Sequence, residues 1–474
     1  MESLWKKETE LFSSDLTIEE VLSKKKSYEI IVVGGGLAGL LCAYYLKEQG
    51  KSVLVVEAKT IASGQSGRTT AKITSQHGLK YSKLIEDIGV DRARLYAQAH
   101  ETAIREYERL ITDCKIECEF ERVPAYLYSM EDEHILKKEA ESARQLGIDA
   151  YFTEEVELPF MVKGAVCFRN QAQFSPLKFM KYLASDLDIL ENTKVLSVKG
   201  HEVFTEKGNL EAGRIVLATH YPVLNVPGFY FLRQHQERSY VLALSGCPLP
   251  KGIYYGVDQG GFSFRRAGDF LLFGGGAHRT GENVCGGKYE ELIRAARKYF
   301  PDCRETARWS AQDCMPHDGI PFIGRYSAFT PELYVITGFG KWGMTSAMIA
   351  AMILRDELYG VENMYAELFR PQRVYLKPGY KNFITDVGMS IKGLARGWLW
   401  GSKCKPYSRV YGSEEGEDTV CREKVEIPKR CSHMGCELIW NPDEESWDCP
   451  CHGSRFTGLG KLLDNPSQKD VSVK

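Results

Sequence analysis

The sequence predicts an α/β protein in which a doubly wound dinucleotide-binding domain is joined to an antiparallel second lobe and to a small carboxyl-terminal module. Three observations predict this architecture. Residues 28–57 follow the order strand, glycine turn, helix and strand, short alternating strands succeed one another over residues 229–281, and cysteine and histidine crowd into residues 431–454. With 474 residues, 43% of them hydrophobic, the chain is long enough for two or three domains.

The amino-terminal motif has the residue order of a dinucleotide site. A buried β-branched run at 30–33 leads directly into Gly34, Gly36 and Gly39, and a helix follows. The first glycine allows a tight turn, the second lets the backbone approach a pyrophosphate, and the third lets the helix lie close to the strand. Glu57 ends the second strand, where it can accept hydrogen bonds from both ribose hydroxyls and would repel a 2′-phosphate.

Composition excludes several classes of protein. The net charge of −2 provides no basic field for nucleic acid, and the apolar run 344–354 is far shorter than the roughly 20 residues that span a bilayer. The stretch 24–46 resembles a signal peptide, but it contains glycines, lacks a small-residue cleavage site and leads into a second strand. We therefore expect a cytoplasmic protein with no nucleic-acid partner and no transmembrane segment.

The middle of the chain is expected to complete the sheet and build the second lobe. The small-residue loop 62–72 follows the second strand, at the edge where ligands of open α/β sheets bind. Residues 81–150 show mainly helical spacing, and Pro176 is suited to the first turn of a further helix. Strands that return to the sheet are predicted at 195–198, 203–204 and 214–219.

A second Gly-x-Gly-x-x-Gly pattern occurs late in the chain. It occupies residues 338–343, after a predicted strand and before a helix. No strand ending in an acidic residue follows, which argues against a separate NAD site. A helix N-terminus at this place would instead favour negative charge on a group bound by the first motif, such as the N1/C2-carbonyl side of a reduced flavin.

With these motifs, residues 28–370 resemble the D-amino acid oxidase/glycine oxidase superfamily of FAD enzymes. The resemblance implies a Rossmann-like FAD-binding domain of the glutathione-reductase type, FAD held noncovalently, an antiparallel-sheet substrate domain, and removal of hydride from the carbon next to an amine nitrogen. No general base stands out, and the candidates for lining the flavin face are Lys72, His77, Arg265 and Lys341. The residues that match the FAD-binding positions are Gly34, Gly36, Gly39, Glu57, Ser63, Arg68, Thr69, Thr70, Lys72, Val195, Ala218, Thr219, Gly338, Gly340, Lys341, Trp342, Gly343 and Met344.

The cysteines and histidines near the carboxyl end form two short motifs. CSHMGC occupies residues 431–436 and CPCHGS occupies 449–454, with fifteen residues between His433 and Cys449. A structural zinc site would also use two thiolates and two imidazoles, but it would gain nothing from the two further cysteines.

These motifs resemble the Rieske [2Fe-2S] module of the cytochrome bc and b6f type. The resemblance implies that Cys431 and Cys449 hold one iron and that His433 and His452 hold the other. It also implies a disulfide between Cys436 and Cys451. Imidazoles in place of two thiolates make the cluster a better electron acceptor, with a potential within roughly −150 to +300 mV.

Two features of this module depart from the resemblance. Ser454 matches a hydroxyl that donates to a bridging sulfide, but Phe456 stands where high-potential members carry a tyrosine donor, so we expect a lower potential than theirs. The segment between Gly401 and Cys431 is short and heavily charged, so we expect the base of the small all-β domain to be abbreviated.

The expected organisation has four parts: an N-terminal arm, residues 1–27, with no assigned chemistry; the FAD-dependent oxidoreductase, 28–370; a linker, 371–400; and the Rieske domain, 401–474. Within the oxidoreductase, the FAD-binding segments are about 28–80, 160–225 and 310–370. The substrate lobe is about 81–159 and 226–309.

Together the modules predict an oxidoreductase that oxidises a small amine or amino acid at the C–N bond and passes electrons from reduced FAD to the Rieske cluster. The final acceptor would be an unidentified protein or quinone. FAD accepts an electron pair and can release electrons singly, which a nicotinamide does not do readily. One alternative is an electron-transfer protein whose FAD is reduced by a partner or NAD(P)H and whose cluster feeds an acceptor protein. Another is a redox sensor without turnover.

Overall fold

A computed structural model describes residues 2–10, 13–23, 28–373, 376–400, 405–410, 422–427 and 430–471. The helices are α1 Leu4–Glu8, α2 Ile18–Ser23, α3 Leu37–Glu48, α4 Tyr81–Ile88, α5 Val90–Asp113, α6 Glu133–Gln145, α7 Pro176–Ala184, α8 Lys288–Tyr299, α9 Gly343–Tyr359, α10 Ala366–Phe369 and α11 Leu376–Trp400. The strands are β1 Tyr28–Val33, β2 Val53–Val56, β3 Lys72–Ile73, β4 Glu121–Ser129, β5 Ala150–Thr153, β6 Gly164–Gln173, β7 Asp188–Leu190, β8 Val195–Lys199, β9 Glu202–Thr205, β10 Gly208–Leu217, β11 Gln234–Ser245, β12 Ile253–Gly256, β13 Ser263–Ala267, β14 Phe270–Arg279, β15 Arg304–Pro316, β16 Phe322–Arg325, β17 Leu333–Thr337, β18 Lys405–Val410, β19 Arg422–Ile427, β20 Ile439–Asn441, β21 Ser446–Asp448, β22 Arg455–Thr457 and β23 Leu462–Asp464. Short 3-10 turns lie at Gln65–Arg68 and Tyr230–Leu232.

The first sheet is doubly wound. Its strands run in the order β16-β17-β10-β1-β2-β7, parallel except at the edge strand β16, and the β8–β9 hairpin extends from β10. Because side chains alternate along β1, Ile30 and Val32 pack with α3 and α9 on one face, whereas Ile31 and Val33 pack with Val203 on the other. Burial on both faces accounts for the continuous apolar run in the sequence.

The second sheet forms the lobe above it. Its order is β15-β11-β14-β13-β12-β4-β6-β3, with β5 on β6, and its pairs are antiparallel except β12–β4. The prediction of helix over 81–150 is wrong at β4, where Val123, Ala125 and Leu127 alternate into the core as a strand requires. The segment boundary at about 160 is too early, because β6 also belongs to this second sheet.

The N-terminal arm is packed against the protein. Leu4 and Trp5 of α1 are buried, and the Trp5 indole Nε1 donates to the Thr69 carbonyl at 2.7 Å. Ser3 Oγ donates to the Gly67 carbonyl at 2.5 Å. The described part of the arm therefore supports the backbone of the loop 62–72, a role that its polar composition did not indicate.

The carboxyl-terminal part begins with a helix and ends in a small sheet. Helix α11, 25 residues long, fills most of the segment predicted as a linker, and its Gly393 packs against the Cys451 sulfur. Strands β18 and β19 pair with each other in the charged segment where we expected an abbreviated base, and β20 to β23 form a meander. Among the helices of the described ranges, none combines the length and apolar character needed to cross a bilayer.

Candidate functional site

A cavity of about 1010 Å³ lies between the two sheets. Its floor is the carboxyl edge of the first sheet, at residues that follow β1, β2, β10 and β17, and its roof is formed by β11, β14 and β15. This is the edge at which open α/β sheets bind ligands. Of the residues predicted to bind the cofactor, all line the cavity except Gly39 and Gly340.

The glycines fit a dinucleotide because they bring backbone segments into contact. A Cβ on Gly34, whose φ is +114°, would lie 2.5 Å from the Ala218 carbonyl oxygen, and a Cβ on Gly39 would lie 2.0 Å from the Gly34 oxygen. Helix α3 therefore begins directly against β1 with its N-terminus at the cavity, where the Leu37 amide donates to Ser66 Oγ at 2.9 Å. The Glu57 carboxylate accepts from the Gly35 amide at 2.7 Å, beside the position expected for a ribose.

We expect Gly39→Ala to abolish FAD binding. The added methyl group would push α3 away from β1, because the atom it meets is backbone oxygen and has no room to move. Flavin absorbance per chain should fall at least about tenfold, a loss of about 1.4 kcal/mol or more in binding. Gly388→Ala in α11 is the matched control, because its Cβ would meet nothing within 4 Å. Full FAD content in the Gly39 variant would contradict this account.

Two of the four candidates for the flavin face, Lys72 and Lys341, line the cavity. Burial, together with the charge of Arg265, lowers the pKa of Lys72 to about 7. Lys341 adopts φ +73° in the loop before α9, and its ammonium pairs with Glu237 of β11 at 2.7 Å. Strand β11 of the roof thus holds the Lys341 ammonium in place. We call residues 338–342, which lead into α9, the cavity-closing loop.

His77 and Arg265 do not line the cavity, which corrects their expected placement. The Arg265 guanidinium is buried and donates to the backbone carbonyls of Thr70 and Phe174, so it braces the loop from outside. His77 bonds the Thr74 carbonyl and the Tyr96 hydroxyl, and its ring stacks on Trp342 at 4.7 Å. Both side chains support cavity residues from behind.

Asp313 of β15 is a cavity residue that sequence reasoning missed. It lies opposite Glu237 in the β11–β15 register, and the carbonyl of the next residue, Cys314, accepts a hydrogen bond from the Gly340 amide at 2.9 Å. Burial raises the pKa of Asp313 to about 6, although the nearby Lys341 opposes the shift. A carboxyl group therefore stands in the roof beside the cavity-closing loop.

The second centre brings together the four residues predicted to hold iron. The rings of His433 and His452 lie 5.0 Å apart at 90°, and the thiol of Cys431 hydrogen-bonds Cys449, which lowers its pKa to about 7. Cys436 and Cys451 form the expected disulfide, with Cα atoms 6.6 Å apart. Ser454 Oγ accepts from the Ser467 amide at 3.0 Å.

The unsatisfied atoms of this centre fit a metal cluster. Nδ1 of His433 and Nδ1 of His452 are both buried without a hydrogen-bond partner among the described residues, a costly state unless they bind a ligand. Nε2 of His433 meets Asn225 Oδ1 at 3.0 Å, the outward contact that orients a metal-bound imidazole. Burial lowers the pKa of His433 to about 4 and that of His452 to about 3, so both rings are in the neutral form that binds metal.

The cluster module rests on the roof of the cavity through strand β11. Gln236 Nε2 donates to the His452 carbonyl at 2.8 Å, and Gln312 Nε2 of β15 donates to the Gly453 carbonyl at 2.8 Å. Side chains alternate along a strand, so the next residue, Glu237, points to the opposite face and holds Lys341. Two consecutive residues of one strand therefore contact the cluster loop and the cavity-closing loop.

Further polar contacts extend this interface to the wall of the cavity. The buried Arg238 pairs with Glu444 at 3.3 Å, and Asn465 Nδ2 donates to the Tyr221 carbonyl at 2.7 Å. Residues of the module between 462 and 470 line the cavity beside the first sheet. The alternation of Gln234, Gln236 and Arg238 was the one sequence signal for a polar contact at this strand.

Comparisons with known proteins match both modules. Residues 29–357 match the family model described as FAD dependent oxidoreductase, and residues 421–473 match the Rieske [2Fe-2S] domain. A protein of Bacillus subtilis (strain 168), named as the Rieske 2Fe-2S iron-sulfur protein YhfW, is 32% identical over 99% of this chain and 97% of its own length.

Two solved structures show a similar fold for the larger module. Glycine oxidase from Geobacillus kaustophilus superposes with a TM-score of 0.63 at 19% identity, covering 73% of this chain and 99% of that one. L-amino acid deaminase from Proteus vulgaris superposes with a TM-score of 0.61 at 18% identity, covering 77% and 100%. The predicted fold class is confirmed, as are the FAD and [2Fe-2S] cofactors that the two domains imply. The chain belongs to the DAO family of FAD-dependent oxidoreductases and carries a Rieske [2Fe-2S] domain at its carboxyl end.

Proposed function

We propose that this protein oxidises a small amine or amino acid at its C–N bond and delivers the electrons to its own Rieske domain. The proposal depends on two contacts: Gln236 donates a hydrogen bond to the His452 carbonyl, and Glu237 forms an ion pair with Lys341. Because these are neighbours on β11, one strand separates the cluster ligands from the flavin cavity. An unidentified protein or quinone would then take electrons from the cluster.

Bound FAD would accept the electron pair of the substrate, and the residues of the chain prepare the cavity for it. Helix α9 begins at Gly343 with its N-terminus at the cavity, where the helix dipole favours negative charge. Lys341 adds a positive charge held in place by Glu237. The glycine turn and Glu57 hold the nucleotide end.

The charges of the roof favour an amine nitrogen near Asp313. Two lysines on this side are neutralised, Lys341 by Glu237 at 2.7 Å and Lys288 by Glu291 at 3.0 Å. Asp313 has no ion-pair partner among the residues that the structure describes. Its carboxylate is therefore the group we expect to bind a substrate ammonium and to take a proton from it, since its pKa of about 6 suits a base at neutral pH.

The rival function, reduction of FAD by NAD(P)H, would need a place for a nicotinamide nucleotide. The late glycine pattern does not provide a separate one, because residues 338–343 end at α9 within the same cavity. The names of the two structural neighbours, glycine oxidase and L-amino acid deaminase, also favour substrates that carry an amino group.

One anaerobic titration tests the proposal. The purified protein is mixed in turn with a panel of amines, amino acids, NADH and NADPH while flavin absorbance and the electron paramagnetic resonance of the reduced cluster are recorded. We expect an amine or amino acid to bleach the flavin and to produce the cluster signal. Bleaching by NADH or NADPH alone would support the electron-transfer protein, and no bleaching by any reagent would support a sensor.

A further inference from the structure

One loop of the Rieske domain forms part of the wall of the FAD cavity. Residues 462–470, which we call the 462–470 loop, lie within the stretch that matches the Rieske domain. All of them except Pro466 and Lys469 line the cavity, together with Glu57 and Thr219, which match FAD-binding positions. The loop therefore belongs to the iron–sulfur module by sequence and to the flavin site by position.

Two contacts tie this loop to the oxidoreductase module. Near its start, Asp464 Oδ1 accepts a hydrogen bond from Gln65 Nε2 at 3.2 Å. Near its end, the Gln468 carbonyl accepts from the Lys194 ammonium at 2.7 Å. Gln65 and Lys194 both line the cavity, on two segments that are far apart in the sequence. The loop thus joins two walls of the flavin site.

A third contact holds a turn of the oxidoreductase module in an unusual conformation. Asn465 Nδ2 donates to the Tyr221 carbonyl at 2.7 Å and to the Thr219 carbonyl at 3.3 Å. Between these carbonyls lies His220, whose φ of +65° falls in the left-handed region. This conformation is unfavourable for residues other than glycine and persists where surrounding contacts hold it. One carboxamide of the Rieske domain provides two of those contacts.

The turn at His220 is part of the flavin site. Ala218, Thr219 and His220 all line the cavity. The Ala218 carbonyl oxygen packs so closely on Gly34 that a Cβ there would lie 2.5 Å from it. The first glycine of the dinucleotide motif and the turn at His220 therefore form one continuous surface, and the position of the turn depends on Asn465.

The negative charge of Asp464 does not oppose the binding of a dinucleotide. Arg455 pairs with this carboxylate at 2.7 Å, and Arg238 lies 3.6 Å from it. Burial alone would raise the pKa of Asp464, but the neighbouring guanidinium groups, with Arg455 the strongest, hold the pKa well below its usual value. The carboxylate is therefore ionised and paired, and the loop adds no unpaired negative charge here.

We propose that the 462–470 loop is part of the FAD-binding site and that Asn465 is a positioning residue for FAD, acting through the turn at His220. FAD then belongs to the interface between the two modules. By linkage, the docked loop raises the affinity for FAD, and bound FAD stabilises the docked module. Neither effect depends on the proposed substrate or on electron transfer.

The Rieske domain has further anchors that do not involve Asn465. Arg279 of β14 pairs with Asp386 of α11, and its guanidinium donates to the carbonyls of Pro450 and Cys451 at 3.2 and 3.3 Å. These contacts lie at the cluster loop itself. We therefore expect an Asn465 variant to keep its iron, so that weakened FAD binding can be measured on a protein with an intact cluster.

Asn465→Ala tests the proposal through the affinity for FAD. The holoenzyme is diluted in steps, free FAD is measured by its fluorescence, and iron is determined on the same samples. Because the substitution removes both donated hydrogen bonds, we expect the Kd for FAD to rise about tenfold with iron content unchanged. Lys469→Ala is the matched control and should keep the wild-type Kd, because this exposed side chain belongs to the same loop but does not line the cavity.

A double-mutant cycle shows whether Asn465 acts through the turn. Glycine adopts positive φ without strain, so the turn in a His220→Gly background needs less support from the Rieske domain. In that background we expect Asn465→Ala to raise the Kd by no more than about threefold. A general loosening of the loop would instead give the same factor in both backgrounds.

Thermal bleaching of the cluster provides the reciprocal readout. Excess FAD should raise the midpoint of cluster bleaching in wild type, and should raise it less in Asn465→Ala. The proposal would be overturned by an unchanged Kd in Asn465→Ala, by an equal rise in Lys469→Ala, or by the same tenfold factor in the His220→Gly background. A wild-type bleaching midpoint that does not respond to FAD would also overturn it.

Discussion

Cys449→Ser is expected to remove the iron–sulfur cluster while leaving the FAD domain intact. Cys449 is buried beside Cys431, and a serine hydroxyl is a poor substitute for a thiolate at iron. Iron and acid-labile sulfide should fall from about two per chain to near zero, and the resonance of the reduced cluster should vanish.

The same variant separates the two modules functionally. Its flavin should still be bleached by substrate, but reoxidation by an external acceptor should slow, because the route through the cluster is gone. Cys303→Ser is the control. This cysteine is also buried, but it immediately precedes β15, at the opposite end of that strand from Gln312, which contacts the cluster loop. A Cys449 variant that keeps its iron would show that the ligand assignment is incorrect.

Asp313→Asn is expected to lower the rate of flavin bleaching by an amine on the order of 10²- to 10⁴-fold, the usual range for loss of a positioned base. The amide can neither accept the proton nor balance the charge of a substrate ammonium. Asp313→Glu should retain part of the activity, and both variants should keep full FAD content, measured by visible absorbance.

The pH profile provides an independent check on Asp313. A base with a pKa of about 6 is active when deprotonated, so the wild-type bleaching rate should rise as pH increases through about 6 and then level off. The rise should be missing in Asp313→Asn. A profile that is identical in the two proteins would exclude Asp313 as the base.

The two cofactor motifs could be predicted from the sequence because each is local in the chain. Gly34, Gly39 and Glu57 fall within one strand–helix–strand unit, and the residues predicted to hold iron fall within two loops of one small module. Local spacing therefore carried the information about ligand chemistry, and the structure brings the residues of each motif together.

The position of the modules relative to each other was not predictable in the same way. The contact between Gln236 and His452 joins residues 216 apart, and Asp386 lies in a segment that appeared to be only a linker. Nothing in local periodicity reports such a pairing. Arg265 illustrates the same limit, because alternation showed that it points to one side of its strand but not what lies there.

The central claim is that electrons pass from flavin to cluster within one chain, and an anaerobic stopped-flow experiment at several protein concentrations tests it most directly. The iron-replete protein is mixed with a reducing amine while flavin bleaching is followed optically, and the cluster signal is followed in samples frozen at intervals. The account predicts that the cluster becomes reduced with a first-order rate constant that does not change with protein concentration. A rate that rises in proportion to concentration, or a cluster that stays oxidised while the flavin is fully bleached, would contradict it.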